Sequence, residues 1–455
     1  MTETIKIKNR EAIRGSGPGD AKELALDLFE TGISAALPGG AVERSLVLED
    51  ETLVCGSDKY DLDEIDRILV LGGGKASIEM AQKVGRILGD RISEGLIVGK
   101  SMKGKDNLKQ IEALEGSHPL PGPQGVSATK KLLDKARTAG EKDLVICLIS
   151  GGGSALLAAP AGGIGLESLK KLTELLLKSG ASIEEINTVR KSVSRIKGGR
   201  LAKAIHPGRT LSLIVSDVVG DPPAYIASGP TAPVSSGKAE ALDVLEKNDL
   251  LEETPKDVKA ALRGEDGKGL DKPIFEEEFE KFQVINEIIA SNETALSAMA
   301  EEARSRDLRT LILSTRLEGE SRELGCQFGQ LARSIHEEGR PVPRPGLLLS
   351  GGEATVRLSG KTGKGGPNQE FSLSAGLEIR GMKEAVVGAL DSDGEDGSTE
   401  IAGGILDGSS IQQPEKTEKA LSNHNSFREL KDLNGAVLTG PTGTNVNDLR
   451  LALLR

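Results

Sequence analysis

Residues 144–154 read LVICLISGGGS. Six apolar residues without polar alternation suit a strand buried on both faces, and a serine with three glycines behind them suits a loop leaving the strand's carboxyl end. The uncharged run continues to Leu166, long enough to cross a bilayer. Gly151, Gly152, Gly153 and Pro160 spoil it as a helix, since consecutive glycines are poor helix formers. A membrane span is therefore rejected.

The same pattern recurs on both sides. Aliphatic runs at 67–71, 95–98, 211–215, 284–290, 310–313, 346–349, 385–390 and 436–438 read as strands. Amphipathic segments at 78–88, 125–138, 166–178, 183–205, 293–306, 320–337 and 446–454 read as helices. Ser182, with Glu185 three residues on, forms a capping box ahead of one of them. The alternation predicts an α/β fold, two domains with largely parallel, Rossmann-like sheets. Residues 238–282 are dense in charge and carry Pro255, Pro273 and the run Glu276-Glu277-Glu278. They read as a solvated helical connector between an N-terminal domain, 1–237, and a C-terminal one, 283–455.

The chain has 455 residues, enough for two or three domains, and 58 Lys plus Arg against 69 Asp plus Glu, a net charge of −11. With no Trp, two Tyr and seven Phe, its core must be aliphatic. Few aromatic stacking platforms and an acidic balance exclude a nucleic-acid partner. Cys55, Cys147 and Cys326 are too dispersed for a disulfide framework or a CxxC metal knuckle, and the first ten residues lack the apolar core of a signal peptide. Both point to the cytoplasm.

The loops that leave the strands carry the chemistry. The runs end in GGGKAS (72–77), SGGGS (150–154), SDVVGD (216–221), SNE (291–293), SGGE (350–353), DSDGEDGST (391–399) and TGPTGTN (439–445). In open parallel sheets ligands bind outside the carboxyl ends of strands, where helix N-termini present free N–H groups to anions. So many such ends in one chain imply a large polyanionic ligand. GGGKAS is not a P-loop, because Val70 and Ala76 stand where Walker A needs glycine and Ser or Thr. As a dinucleotide fingerprint it is incomplete, and Gly99-Lys100 stands where an acid would hold a ribose; Lys100, Lys103 and Lys105 keep an NADP site open. Lys75, between the glycines and a helix start, is placed to meet a ligand's negative charge. Ser154 lacks the following glycine of a hydrolase elbow, since Leu156 stands there, and four histidines give triads and zinc sites no support.

From Ile186 to Ser216 the chain carries Arg190, Lys191, Arg195, Lys197, Arg200, Lys203 and Arg209 and no acid. In an acidic protein this is a field for carboxylate or phosphate. Asp217, Asp221, Asp391, Asp393 and Asp396 supply the opposite need, Mg²⁺ held through one or two carboxylates with substrate phosphates completing the shell.

These motifs, with GSHPLPG (116–122), INTVRKSVSRIKGGRLA (186–202), SDVVGDPPAYIASGPT (216–231), LSGGEATV (349–356), GKGGPNQE (363–370) and GPTGTNVNDL (440–449), resemble glycerate 2-kinases of the MOFRL type, in the family's order from about Lys22 onward. The resemblance implies two α/β domains with the active site in the cleft between them. It also implies transfer of the ATP γ-phosphoryl group to D-glycerate, mostly giving 2-phosphoglycerate, with Mg²⁺ or another divalent cation. The family's catalytic lysine falls on Lys75. Its second catalytic group, an arginine, falls on Pro367, so a nearby base such as Lys364 or Arg190 takes that role or the substrate is handled differently.

The catalytic set is then Lys75, Arg190 and Asp217. The substrate and nucleotide set is Gly73, Gly74, Ser117, His118, Gly152, Gly153, Ser154, Lys191, Lys197, Ser291, Asn292, Gly351, Gly352, Asn368, Glu370, Thr442 and Asn445. The metal set is Asp217, Glu353 and Asp393. A homodimer stays open. Two other readings stand beside the kinase: an NAD(P)H-dependent hydroxypyruvate reductase, a label some relatives carry, and a non-catalytic binder of phosphorylated metabolites.

Overall fold

The computed structural model describes residues 4–14, 19–102, 105–265, 272–360 and 362–455. Lys103, the first three residues and the middle of the charged connector lie outside them. Met1–Gly40 and Ala290–Arg455 form one compact unit, and Ala41–Ile289 the other. Helix α1 (Gly19–Ala35) thus belongs with the C-terminal half. No helix among the described residues is long and apolar enough to cross a membrane.

The 41–289 unit is built on β1 (Ile68–Gly73), β2 (Ile92–Gly99), β3 (Ile111–Glu115), β4 (Leu144–Ile149), β5 (Arg209–Val215) and β6 (Val284–Ala290). Their order in the sheet is β3-β2-β1-β4-β5-β6, and the pairs from β3 to β5 are all parallel. This is the doubly wound order, and its switch point lies between β1 and β4. Helices α2 (Ser77–Leu88), α3 (Pro123–Ala136) and α4 (Leu166–Lys178) follow their strands as the periodicity predicts. Leu69, Leu71, Leu96, Val98, Val145, Cys147 and Ile149 are buried in one aliphatic core.

Three expectations for this unit change. The segment 183–205 is not one helix: α5 (Ile183–Ser192) and α6 (Arg200–Ile205) are separated where Gly198 and Gly199 take φ of 58° and 78° and Ser194 bridges to Pro160. The stretch 238–282, as far as its residues are described, is not a solvated connector. It folds into α7 (Lys238–Lys247), α8 (Lys256–Arg263) and a short turn of helix, and Ala241, Leu245, Val258, Ala261 and Leu262 pack into a core with Leu172, Leu176 and Val189. Its charges occupy the outer faces of helices whose buried residues are few, so composition concealed the inner stripe. Strand β6, expected in the C-terminal domain, completes this sheet instead.

The capping box is present: Ser182 Oγ accepts from Glu185 N–H at 3.3 Å, and Glu185 Oε2 accepts from Ser182 N–H at 3.0 Å. Ser182→Ala should lower stability by about 1 kcal/mol, read as a shift in the urea midpoint at unchanged slope.

The other unit adds α9 (Asn292–Ser305), β7 (Arg309–Ser314), α10 (Ser321–Glu338), β8 (Gly346–Gly352), α11 (Pro367–Glu378), β9 (Ala385–Asp391), β10 (Gly403–Asp407), β11 (Ala436–Val437) and β12 (Asp448–Leu454). The sheet order is β7-β8-β12-β9-β10-β11. Only β7 and β8 pair in parallel; every other pair is antiparallel. The expectation of largely parallel sheets therefore holds for one unit and not for this one. The cause is residues 446–454, read as a helix, whose 448–454 portion is the central strand β12. Its side chains are buried on both faces: Leu451 and Leu453 join α1 and α9, while Ala452 and Leu454 join α10 and α11. A short, fully buried aliphatic run has no alternation to distinguish it from a helix.

Candidate active site

The loops leaving β1 and β4 lie side by side because the strands are parallel neighbours. Lys75 N–H donates to Gly151 O at 2.9 Å, Ala76 N–H to Ser150 Oγ at 3.1 Å, and Ser77 Oγ to Leu148 O at 3.3 Å. Gly74 has φ of 155°, and a Cβ there would collide with Ser150, so only glycine lets the loops be stitched this closely. At Gly152, with φ of 80°, a Cβ would sit 3.0 Å from Lys75 Cγ and 3.1 Å from His118 Cδ2. At Gly151 it would run into the Asp217 carboxylate, and at Gly153 it would lie 3.1 Å from Gly73 O.

The ends of β1, β3, β4 and β5 thus bring Gly73, Gly74, Lys75, His118, Gly151–Gly153 and Asp217 to one place. Ser117, half-buried, packs against Gly122 at the start of α3. Burial, then Lys75 and Lys100, push the His118 imidazole down to about 4, so it is neutral at physiological pH. Burial pushes the Asp217 carboxyl up, against a backbone N–H and the charge of Lys75. Lys75 itself is exposed.

Beside this cluster, Ser154 Oγ and Ser228 Oγ are 2.8 Å apart, and Ser228 Oγ donates to Asn187 Oδ1 at 2.7 Å. Lys191 and Lys197 are both buried. Lys191 Nζ lies 5.0 Å from the centre of the Tyr225 ring, and Lys197 Nζ donates to Leu157 O at 2.9 Å. Burial lowers the Arg190 guanidinium and brings Lys191 down to about 8; burial and then the charge of Arg190 bring Lys197 down to about 7. Asn187, Tyr225 and Ser228 were not singled out by sequence reasoning. Uncharged and set within longer motifs, they signalled nothing by type.

The candidates in the other unit are placed at the end of its sheet where β8, β12 and β9 lie side by side. Gly352 and Asp391 both register with Asp448, so Glu353 and Asp393 follow strand ends about 10 Å apart, two strand spacings. Many of the polar candidates there are engaged in holding the framework. Asn292 Nδ2 donates to Val446 O at 2.8 Å and Asp448 O at 2.9 Å, in space that Gly351 leaves open. Asn368 Nδ2 donates to Asp448 Oδ1 at 2.6 Å, Glu370 meets His424 Nδ1 at 2.9 Å, and Thr442 Oγ1 donates to Ser392 O at 2.6 Å. Ser291 is buried at the start of α9, and Asn445 Oδ1 accepts from Asn447 N–H at 3.0 Å.

Pro367 is the first residue of α11, where a missing N–H costs nothing. The next two N–H groups, of Asn368 and Gln369, donate to Asp396 at 3.1 and 3.0 Å, so an internal carboxylate occupies the helix end expected to meet phosphate. Burial pushes Asp396 up to about 7, and burial with Asp393 and Asp448 pushes Asp391 up to about 9. Glu353 is exposed and Asp393 half-buried. Among the described residues no group of three or more His, Cys, Asp or Glu could by itself hold a metal ion.

Residues 24–263 match a family described as a domain of unknown function (DUF4147), and residues 346–448 match the MOFRL family. The chain is 41% identical over 443 residues to the glycerate 2-kinase of Pyrococcus horikoshii, covering 96% of this chain and 98% of that one. It is 36% identical over 441 residues to the D-glycerate 2-kinase of Thermotoga maritima, covering 96% and 99%. The solved structure of the Thermotoga maritima glycerate kinase matches with a TM-score of 0.84 at 34% identity, covering 96% of this chain and all of that one.

Proposed function

The chain belongs to the glycerate 2-kinase family, and from that premise we propose that it transfers the γ-phosphoryl group of ATP to D-glycerate, giving 2-phosphoglycerate and ADP. The observation that carries the reading is the convergence of Lys75, Gly151–Gly153 and Asp217 at the switch point of the parallel sheet. Phosphoryl transfer asks a protein mainly for in-line positioning and neutralisation of charge. Lys75 is a point charge on a loop pinned at its backbone, suited to the equatorial oxygens of the moving group. The glycine loop after β4 lets phosphate oxygens approach backbone N–H groups.

Asp217 takes the proton of the attacking hydroxyl as the new O–P bond forms and the bond to the β,γ-bridging oxygen breaks, releasing ADP. A carboxyl already pushed up by burial is the better proton acceptor near neutral pH. Mg²⁺ would be held by Glu353 or Asp393, whose strand ends lie two spacings apart with β12 between them, through one carboxylate and otherwise by nucleotide phosphates. Bound there, it supplies further neutralisation of phosphate charge. Free thiols at Cys55, Cys147 and Cys326 support a reducing compartment, the cytoplasm in this reading.

The test is a coupled assay of ADP release with ATP, Mg²⁺ and D-glycerate, run beside NADH oxidation with hydroxypyruvate. ADP release that depends on glycerate is expected. Its absence at every divalent metal tried, or NADH turnover in its place, would overturn the reading.

A further inference from the structure

Two buried cations among the described residues are paired with carboxylates: Lys22 with Asp407 at 2.8 Å, and Arg450 with Asp448 at 2.5 Å. On α5 and the turn after it the pattern breaks. Lys191 and Lys197 are each 5% exposed and Arg190 is largely buried, yet none of the three has an ion pair among the described residues. Burying an unpaired charge is expensive, and a chain that keeps several together without an acid leaves room for an anion from outside. Lys197 has a backbone carbonyl as partner, which leaves Arg190 and Lys191 as the open pair.

A second, neutral observation lies on the same helix face. Asn187 precedes Arg190 by three positions and Lys191 by four, so the three share a face of α5. Asn187 is 1% exposed; its Oδ1 accepts from Ser228, and its Nδ2 has no protein partner. Whichever way the amide is turned, one polar atom stays unsatisfied. Ser228 and Ala227 have φ of 62° and 51°, left-handed backbone in non-glycine residues, and Ser228 links Asn187 to Ser154 in the catalytic glycine loop. Strain of this kind persists where surrounding structure over-determines it, often at ligand clamps.

We propose that Asn187, Arg190 and Lys191 form the subsite that takes the carboxylate of a small hydroxy acid, glycerate on the reading above, and that filling it draws a proton from solvent. Arg190 supplies permanent charge, Lys191 a switchable one, and the Asn187 amide a donor. The neighbouring charges are accounted for: Glu185 is paired with Lys247 at 2.7 Å, Glu184 acts on Tyr225, Arg195 is exposed, Arg200 is buried with its Nη1 donating to Lys191 O at 3.1 Å and Lys197 O at 2.9 Å, and Arg190 repels Lys197. With Lys191 brought down to about 8 by burial, it is only partly protonated near pH 8 in the empty protein. A carboxylate alongside favours the ammonium and raises that value, so binding takes up a proton at pH 8 and none near pH 6, where the lysines are already charged.

The experiment is isothermal titration calorimetry of D-glycerate into the full chain, in buffers of different ionisation enthalpy. About half a proton should be taken up per carboxylate at pH 8, fading toward pH 6. Lys191→Arg, always charged, should keep binding while cutting the uptake by more than half; Lys191→Met should weaken binding by roughly 10- to 100-fold. Absence of binding, absence of uptake at pH 8, or uptake unchanged in Lys191→Arg overturns the proposal. Proton-linked binding without glycerate-dependent ADP release sinks the kinase reading and leaves the subsite standing. Normal ADP release without proton uptake does the reverse.

Discussion

Lys75→Ala is expected to lower kcat/KM for glycerate phosphorylation by about 10³-fold or more, the scale on which a single cation at the transferring phosphoryl group acts. The loss should fall mainly on kcat, because the charge on the equatorial oxygens is greatest in the transition state. Stability should not change: Lys75 is exposed, and the loop is pinned through its backbone N–H to Gly151 O, which alanine retains. Lys75→Arg should recover part of the rate, since the charge is kept while its reach and shape differ. Steady-state ADP release, with thermal unfolding as the control, decides it. Full activity in Lys75→Ala would remove the central residue from the proposal.

Asp217→Asn should reduce kcat by about 10²- to 10⁴-fold, the usual range for a positioned general base. The amide fills the same space beside Gly151 and cannot accept the hydroxyl proton. A pH profile separates this role from a structural one. Because burial raises the folded-state value of Asp217, wild-type activity should fall as pH drops through that raised value, well before an ordinary aspartate would protonate. The residual rate of Asp217→Asn should lack that limb. If the limb persists in the variant, another group is the base.

How far the site is legible in the sequence depends on what each residue's type reveals. Lys75, Asp217 and the glycines of 151–153 are legible because charge and glycine after buried strands have few structural uses. Asn368, Glu370 and Thr442 sit in equally suggestive motifs, and their hydrogen bonds go to Asp448, His424 and Ser392 O instead. A buried polar side chain must find a partner, and its sequence does not say whether that partner is a ligand or the fold. Asn187 is the converse case, an uncharged residue that becomes informative only through its buried, unsatisfied amide.

By itself, the sequence determined that the chain is α/β, where most of its strands end, and that those ends carry glycine-rich and charged loops, because aliphatic runs and glycine-rich loops are local signals. Only the tertiary structure decided which distant segments share a sheet. It placed β6 beside β5, folded α7 and α8 onto the first unit, joined α1 to the C-terminal half, and ran β12 antiparallel through the centre of the second sheet. The physical reason is that a buried run records that both its faces are covered, not by what. Closing a long loop costs only slightly more than closing a short one, so sequence distance does little to restrict the partner.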